Sequence, residues 1–238
     1  MTPQPTALTM RIDRWFYTVM ALLIAGAVFT GFAATFYLRD AALPPLKPLL
    51  VTHGVVFSSW IVLFITQAWL VAGNRVEIHK RLGWCGAVLA LLMVGLGLVA
   101  AVDAMRNGRA PIPGLDPRSF FAVPFFDLVV FASLIAAGVL KRGSPDAHRR
   151  IMLVATIAII DAAIARIPLD FIRNGGPPVF FGLTDLFVFA GWGYDLITRR
   201  KIHPAFLWSG IALIVSQALR LAISGTAAWK AFAGLFLP

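Results

Sequence analysis

Charged residues are scarce in this sequence. Of its 238 residues, 59% are hydrophobic and 13% are charged, about half of the roughly 25% charged residues usual in soluble domains. Several windows are longer than the ~18 apolar residues that cross a hydrocarbon core about 30 Å thick. A soluble helical protein would need polar helix faces, which these segments lack. The composition therefore predicts an integral membrane protein.

Other absences exclude particular chemistries. The single cysteine, Cys85, excludes an internal disulfide and any CxxC motif. No predicted span has an interior lysine for a retinal Schiff base. The HxxxH spacing that metal-dependent hydrolases commonly use is also missing. The formal charge of +10 comes without a basic tail or domain. We therefore expect it to attract anionic lipids on the cytoplasmic side and not nucleic acid.

Long apolar runs alternate with short links that are rich in Pro, Lys and Arg. This pattern predicts an all-α polytopic protein with seven transmembrane helices in one antiparallel bundle. We expect residues 1–14 to be a cytoplasmic segment, residues 15–224 the seven-helix domain and residues 225–238 a periplasmic tail. The predicted spans are Trp15–Leu38, Leu49–Gly73, Leu82–Met105, Phe120–Leu140, Ile151–Ile167, Val179–Thr198 and Ala205–Ser224.

The basic residues of the links predict the orientation. One side of the membrane receives twelve, and the other receives seven. Because the more basic side is normally cytoplasmic, we expect the N-terminus inside and the C-terminus outside, in a bacterial inner membrane. The twelve are Arg11, Arg14, Arg75, Lys80, Arg81, Lys141, Arg142, Arg149, Arg150, Arg199, Arg200 and Lys201; the seven are Arg39, Lys47, Arg106, Arg109, Arg118, Arg173 and Lys230.

Several predicted spans place polar side chains in the outer half of the membrane. Asp161 lies about 15 Å into its span, close to the midplane. A charge facing lipid at such depths costs several kcal/mol, so these groups should face one another or line a wet cavity. The set is His53, Asp127, Asp161, Arg166, Asp185, Gln217 and Arg220. We interpret it as an outward-facing pocket for a small ligand or protons; the alternative is a set of structural ion pairs that fixes helix register.

Roles follow from the chemistry of these side chains. The aspartates would carry protons or supply acidic groups, and His53 would be a titrating gate. Arg166 and Arg220 would be counter-ions or anion ligands. We expect Asp161 to find its partner on another helix, with Arg220 as the first candidate, since Arg166 is five residues away on its own helix and points elsewhere.

Three histidines form a second pattern. His79, His148 and His203 each stand at the cytoplasmic start of an odd-numbered span, and the preceding span carries a polar group near its outer end. This suggests one helix followed by three related hairpins. The histidines are interpreted as interfacial anchors or as ligands of a metal ion or haem b.

Five strings carry a family resemblance over about residues 50 to 225: THGVVFSSW, QAWLVA, HKRLGW, AHRRIML and HPAFLWSG…SQALRL. They resemble uncharacterised multi-span membrane proteins of proteobacteria. HKRLGW is also similar to histidine-start helices of cytochrome-b561-like proteins. The resemblance implies a helical membrane fold, and its second part implies haem.

Three functions remain open at this point. The first is a membrane protein whose polar pocket binds or translocates a small ligand or protons. The second is a haem- or metal-containing electron-transfer protein, and the third is a non-catalytic subunit or assembly factor. The sequence does not decide whether the protein is an enzyme, nor its oligomeric state.

Overall fold

The structure, a computed structural model, describes residues 7–109 and 115–237, with side chains from residue 15 onward. These ranges are helical and contain no β-strand, which confirms the predicted all-α class. The helices are α1 Ala7–Phe32, α2 Pro48–Ala72, α3 Val76–Arg106, α4 Pro117–Phe120, α5 Ala122–Leu140, α6 Pro145–Ile157, α7 Asp161–Ile164, α8 Asp170–Arg199, α9 Pro204–Ser224 and α10 Ala227–Gly234; a π-helical turn, Ala33–Tyr37, extends α1.

Six helical segments are long and apolar enough to cross a membrane, which makes this a multi-pass membrane protein. They match six of the seven predicted spans. The segments are Trp15–Tyr37, Pro48–Ala72, Val76–Arg106, Pro117–Leu140, Asp170–Arg199 and Pro204–Ser224.

The fifth predicted span, Ile151–Ile167, differs from the other six. Its residues belong to two short helices, α6 and α7, separated by a non-helical turn at residues 158–160. No proline or glycine lies in that turn, so intrinsic backbone preference does not explain the break. Eight of the thirteen residues of α6 are buried. The segment therefore runs through the protein interior and exposes little apolar surface to a membrane.

Proline and glycine set several helix boundaries. Prolines occupy the first helical position of α2, α4, α6 and α9, where the missing N–H has no intrahelical partner in any case. Gly176 interrupts α8 with a φ of 63°, a conformation that side-chain-bearing residues avoid. Two prolines follow it, so α8 consists of a short first segment and a long second one.

Contacts between distant residues identify two ends of the protein. At one end the Phe16 ring stacks on Tyr194, with ring centroids 3.8 Å apart, and the Arg142 guanidinium lies over Trp84. This end holds the starts of α1, α3 and α6 and the ends of α5 and α8. We call it the basic end, because the segments at these helix ends carry most of the basic residues of the chain. At the opposite end Lys47 lies 3.6 Å from Asp103, which joins the start of α2 to the end of α3.

Four tryptophans mark the level of the basic end. Trp15, Trp69, Trp84 and Trp208 are each more than half exposed, and they come from the first part of α1, α3 and α9 and the last part of α2. Tryptophan is enriched where a membrane meets water, because its ring is apolar and its N–H is polar. Their exposure is what an interfacial belt at this end would require.

The predicted C-terminal tail contains a helix. α10 packs on the opposite end, where Trp229 Nε1 donates to the Arg118 carbonyl at 2.8 Å. Arg106 Nε also donates to the Phe236 carbonyl at 2.7 Å. Residues 225–237 are thus fastened to α3 and α4 rather than extending away from the helices. The predicted cytoplasmic segment 1–14 overlaps α1, which begins at Ala7; residues 1–6 lie outside the described part of the chain.

Candidate functional site

A buried guanidinium, Arg220, is the centre of the main polar cluster. It is 0% exposed and forms a short ion pair from Nη1 to Asp127 Oδ1. Nη2 donates to Ser216 Oγ at 3.0 Å, and Nε donates to the Ser216 carbonyl at 3.3 Å. The Phe181 ring lies 5.2 Å from its Cζ atom, close enough for a cation–π contact. Arg220 is therefore held from α5, α8 and its own helix.

Asp161 is the second acidic partner and is bound less completely. It is 1% exposed, and its Oδ2 lies 3.7 Å from Arg220 Nη1. Neither carboxylate oxygen accepts a well-formed hydrogen bond from the described residues. Thr184 lies beside it, but its hydroxyl proton is donated to the Phe180 carbonyl at 2.9 Å. Asp161 is thus a buried carboxyl that shares a guanidinium with Asp127 and lies directly beside the Asp127 carboxyl.

Asp185 and Gln217 extend the cluster. Both are buried, and the Gln217 amide lies beside the Asp185 carboxyl, near the charge of Arg220. Asp185 Oδ1 and Gln217 Nε2 lack well-formed hydrogen bonds within the described ranges. The spacing of Gln217 and Arg220 on α9, three residues, places both on one helix face. Five of the seven residues predicted for the pocket therefore lie together, supplied by α5, α7, α8 and α9.

The other two predicted pocket residues lie apart from that cluster. The His53 ring stacks on Phe57 with centroids 4.1 Å apart, and it lies beside the Leu96 carbonyl on α3. Arg166 is exposed, donates to the Ala162 carbonyl at 2.6 Å and lies over the Phe32 ring. The charge of Arg166 acts on His53. Neither side chain forms a hydrogen bond or ion pair with the Arg220 cluster among the described residues.

The three histidines at the basic end are not equivalent. The rings of His79 and His148 lie 6.1 Å apart, centroid to centroid, and are nearly perpendicular. His203 instead caps α9, where its Nδ1 accepts from Ala205 N at 3.1 Å. Burial lowers the pKa of His203, and the nearby Arg150 lowers it further, which agrees with an unprotonated Nδ1. Within the described ranges, no group of three or more His, Cys, Asp or Glu is arranged to hold a metal ion.

A second buried ion pair was not among the predicted site residues. Arg150 donates from Nε to Asp195 Oδ2 at 2.9 Å and from Nη2 to Asp195 Oδ1 at 2.5 Å, and both side chains are 0% exposed. The backbone N–H of His203 donates to the same carboxylate at 3.0 Å. Asp195 lies within a predicted apolar span, and a charged residue in such a position should have a buried partner. That placement could have identified Asp195 as a candidate. Arg150 was counted only as a loop charge because three other basic residues stand near it in sequence.

The Asp146 carboxylate at the basic end has enough basic partners, whereas the carboxyl groups of the Arg220 cluster share one guanidinium. Burial acts to raise the pKa of Asp146, but Arg149, Arg199 and Arg150 outweigh it and hold that pKa below its usual value. In the Arg220 cluster one guanidinium faces the carboxyl groups of Asp127, Asp161 and Asp185. Ionisation of all three acids would leave two excess negative charges, which binding of a proton or a cation would reduce.

Comparisons of the chain with protein-family models, with curated proteins and with solved structures gave no match.

Proposed function

We propose that this protein binds and transfers protons in a seven-crossing membrane domain, with the Arg220 cluster as the proton-binding site. The seventh crossing is the segment α6–α7. Support comes from contacts at its two ends: Arg150, near its start, pairs with Asp195 at the basic end, and Asp161, eleven residues later, contacts Arg220. The segment therefore extends from the basic end, where α8 ends, toward the opposite end, where α9 ends.

The orientation of the proposal follows the sequence. The excess of basic residues at the ends of α2, α5 and α8 supports an orientation with the basic end in the cytoplasm of a bacterial inner membrane, next to anionic lipids. The belt formed by Trp15, Trp69, Trp84 and Trp208 supports a membrane interface at that level. The Arg220 cluster then lies toward the outer side, and protons would enter from there.

The state of Asp161 carries the proposal. It is a buried carboxyl without a well-formed hydrogen bond within the described chain, next to a guanidinium already paired with Asp127. Protonation removes its charge and leaves Arg220 with one full partner, whereas ionisation makes Arg220 a shared counter-ion. The same group therefore has two tolerable states, which a proton carrier requires.

Access to the cluster differs among its acids. The Asp127 side chain is 13% exposed and that of Asp161 is 1% exposed. We infer that Asp127 exchanges protons with the outer side and that Asp161 is reached after a local opening. For His53 and Arg166, the roles of gate and counter-ion stay predictions, since neither contacts the cluster among the described residues.

Proton flux into proteoliposomes tests the proposal. Purified protein is reconstituted in vesicles containing a pH-sensitive dye, and a potassium gradient with valinomycin sets the membrane potential. In buffers without sodium we expect potential-driven acidification with the wild-type protein, and its loss with Asp161→Asn. Asp170→Asn, which alters an exposed acid at the start of α8, is the matched control and should leave the flux unchanged.

Two results would count against the proposal. Equal flux in Asp161→Asn and wild-type vesicles would remove Asp161 as the carrier. No flux above empty vesicles, together with no carboxyl signal in infrared difference spectra across a pH jump, would favour structural ion pairs instead.

A further inference from the structure

We propose that His79 and His148 form a binding site for one transition-metal ion of the copper and zinc class at the basic end. The site is separate from the Arg220 cluster and independent of the proposed proton transfer. His79 lies in the first turn of α3 and His148 in the first turn of α6. Both side chains are half-buried.

The ring separation suits a shared ion. The two centroids are 6.1 Å apart and the ring planes meet at 84°. Two imidazoles that bind one ion at about 2 Å each place their centroids roughly 5 to 6.5 Å apart, depending on the angle at the metal. The observed separation lies toward the wide end of that range. A wide N–metal–N angle is what an ion with few ligands adopts.

Each ring lies beside a backbone carbonyl of a neighbouring helix. His148 Nδ1 lies 2.8 Å from the Gly138 carbonyl of α5. His79 Nδ1 is buried, and the His79 ring lies beside the Gln67 carbonyl of α2. An Nδ1–H directed at a carbonyl fixes the tautomer in which Nε2 keeps its lone pair, and metal-ligating histidines almost always have such a support. Nε2 is therefore the ligating atom of His148, and we assign the same role to Nε2 of His79.

Close packing fixes one of these supports. A Cβ added at Gly138 would lie 2.7 Å from Met152 Sδ, so α5 and α6 approach each other too closely for a larger residue. This approach is what brings His148 to the Gly138 carbonyl. Since the rings and their supporting carbonyls come from α2, α3, α5 and α6, the pair is held by four helices.

The donors indicate the class of ion. Imidazole nitrogen suits copper, zinc, iron and nickel, whereas calcium and magnesium prefer oxygen. With two nitrogens from the described residues, the remaining positions would be open to water or a small ligand. Gln67 also has a buried side-chain oxygen without a well-formed hydrogen bond in the described ranges. Lys80, the basic neighbour of His79, is paired with Glu77 at 3.0 Å, which reduces its repulsion of a cation.

Competition with chromophoric chelators tests the site. Tag-free protein in detergent is titrated with Zn²⁺ and, under reductant, with Cu⁺. We expect one ion bound per chain, with an affinity at least tenfold weaker in each of His79→Ala and His148→Ala. His203→Ala and His53→Ala are matched controls and should bind as the wild type does. His79→Gln and His148→Gln preserve more side-chain volume and should lose the ion in the same way if the alanine variants are unstable.

X-ray absorption of the loaded protein should show imidazole scattering from two ligands, reduced in each single variant. The inference is overturned if neither ion binds, or if the histidine variants of the pair bind as tightly as the wild type. A Soret band in purified protein that disappears in both variants would also overturn it, since haem iron would then be the occupant.

Discussion

Replacing Arg220 by glutamine removes the guanidinium that contacts both Asp127 and Asp161. Glutamine retains length and hydrogen-bonding capacity but has no charge. The carboxyl groups would then be left in the protein interior without this counter-ion, and no solvent reaches Asp161 to compensate. The change therefore tests whether the cluster is held together by charge.

The expected loss of stability is large. Two unit charges about 4 Å apart attract by roughly 4 kcal/mol at an effective dielectric constant of about 20. Breaking one partner from a buried pair typically costs about 3–5 kcal/mol, because the other charge stays buried. We expect Arg220→Gln to lower the free energy of unfolding by that amount. Arg166→Gln is the matched control: the residue is exposed and its guanidinium donates to one backbone carbonyl and pairs with no carboxylate among the described residues, so we expect a loss of about 1 kcal/mol or less.

The two aspartates should differ in their coupling to Arg220. Asp127 forms the short ion pair, whereas Asp161 lies 3.7 Å away and accepts no well-formed hydrogen bond among the described residues. We expect Asp161→Asn to change stability by less than about 1 kcal/mol, since it removes the less compensated charge. A double-mutant cycle of Arg220→Gln with Asp127→Asn should give a coupling of about 2 kcal/mol or more, larger than the cycle with Asp161→Asn.

Reversible unfolding in mixed micelles, followed by tryptophan fluorescence, measures these free energies. If Arg220→Gln unfolds within about 1 kcal/mol of the wild type, the cluster is not an electrostatic centre. If Asp161→Asn is as damaging as Arg220→Gln, Asp161 has a structural partner that its contacts do not show, and its role as a proton carrier is refuted.

Three further outcomes can be checked. Gly31→Ala should lower stability by about 1–3 kcal/mol, because the added methyl group would collide with the Ala163 carbonyl. Gly26→Ala should not lower stability, because no atom lies within 4 Å of the added methyl group. Thermal unfolding of the two variants would show the difference. His203→Asn preserves the helix cap and removes the titrating ring. Because the pKa of His203 is lowered in the folded protein, the wild type should lose stability as the pH falls below about 6.5. The variant should lose less, which unfolding curves at pH 7.5 and pH 5 would show. Reporter fusions after Gly108 and at the C-terminus should be active outside and a fusion after Gly143 inside; a cytoplasmic C-terminus would contradict the seven-crossing proposal.

The grouping of most residues of the polar cluster could be predicted from the sequence. A charged group in an apolar span must face other polar groups, so Asp127, Asp161, Asp185 and Arg220 could be placed in one site before any contact was known. Depth along a helix follows from residue number, and it put these residues in the outer half of the membrane, with Asp161 deepest. The contact of Asp161 with Arg220 was expected, but the closer pairing with Asp127 was not.

His53 and Arg166 show the limit of that reasoning. They lie at suitable depths, but depth says nothing about which side of a helix faces which neighbour. The stacking of His53 on Phe57 depends on how α2 is rotated, and the exposure of Arg166 depends on the course of the turn that follows α7. Neither quantity can be obtained from the spacing of residues in one chain.

Composition and apolar run length by themselves determined the helical class and the membrane setting, because hydrocarbon admits only segments that satisfy their own backbone hydrogen bonds. Tertiary packing decided the rest. It broke the fifth predicted span at residues 158–160, paired Arg150 with Asp195, and brought His79 to His148. The two side-chain contacts join residues distant in sequence on different helices, and the energy that selects such a contact exists only when those helices are packed together.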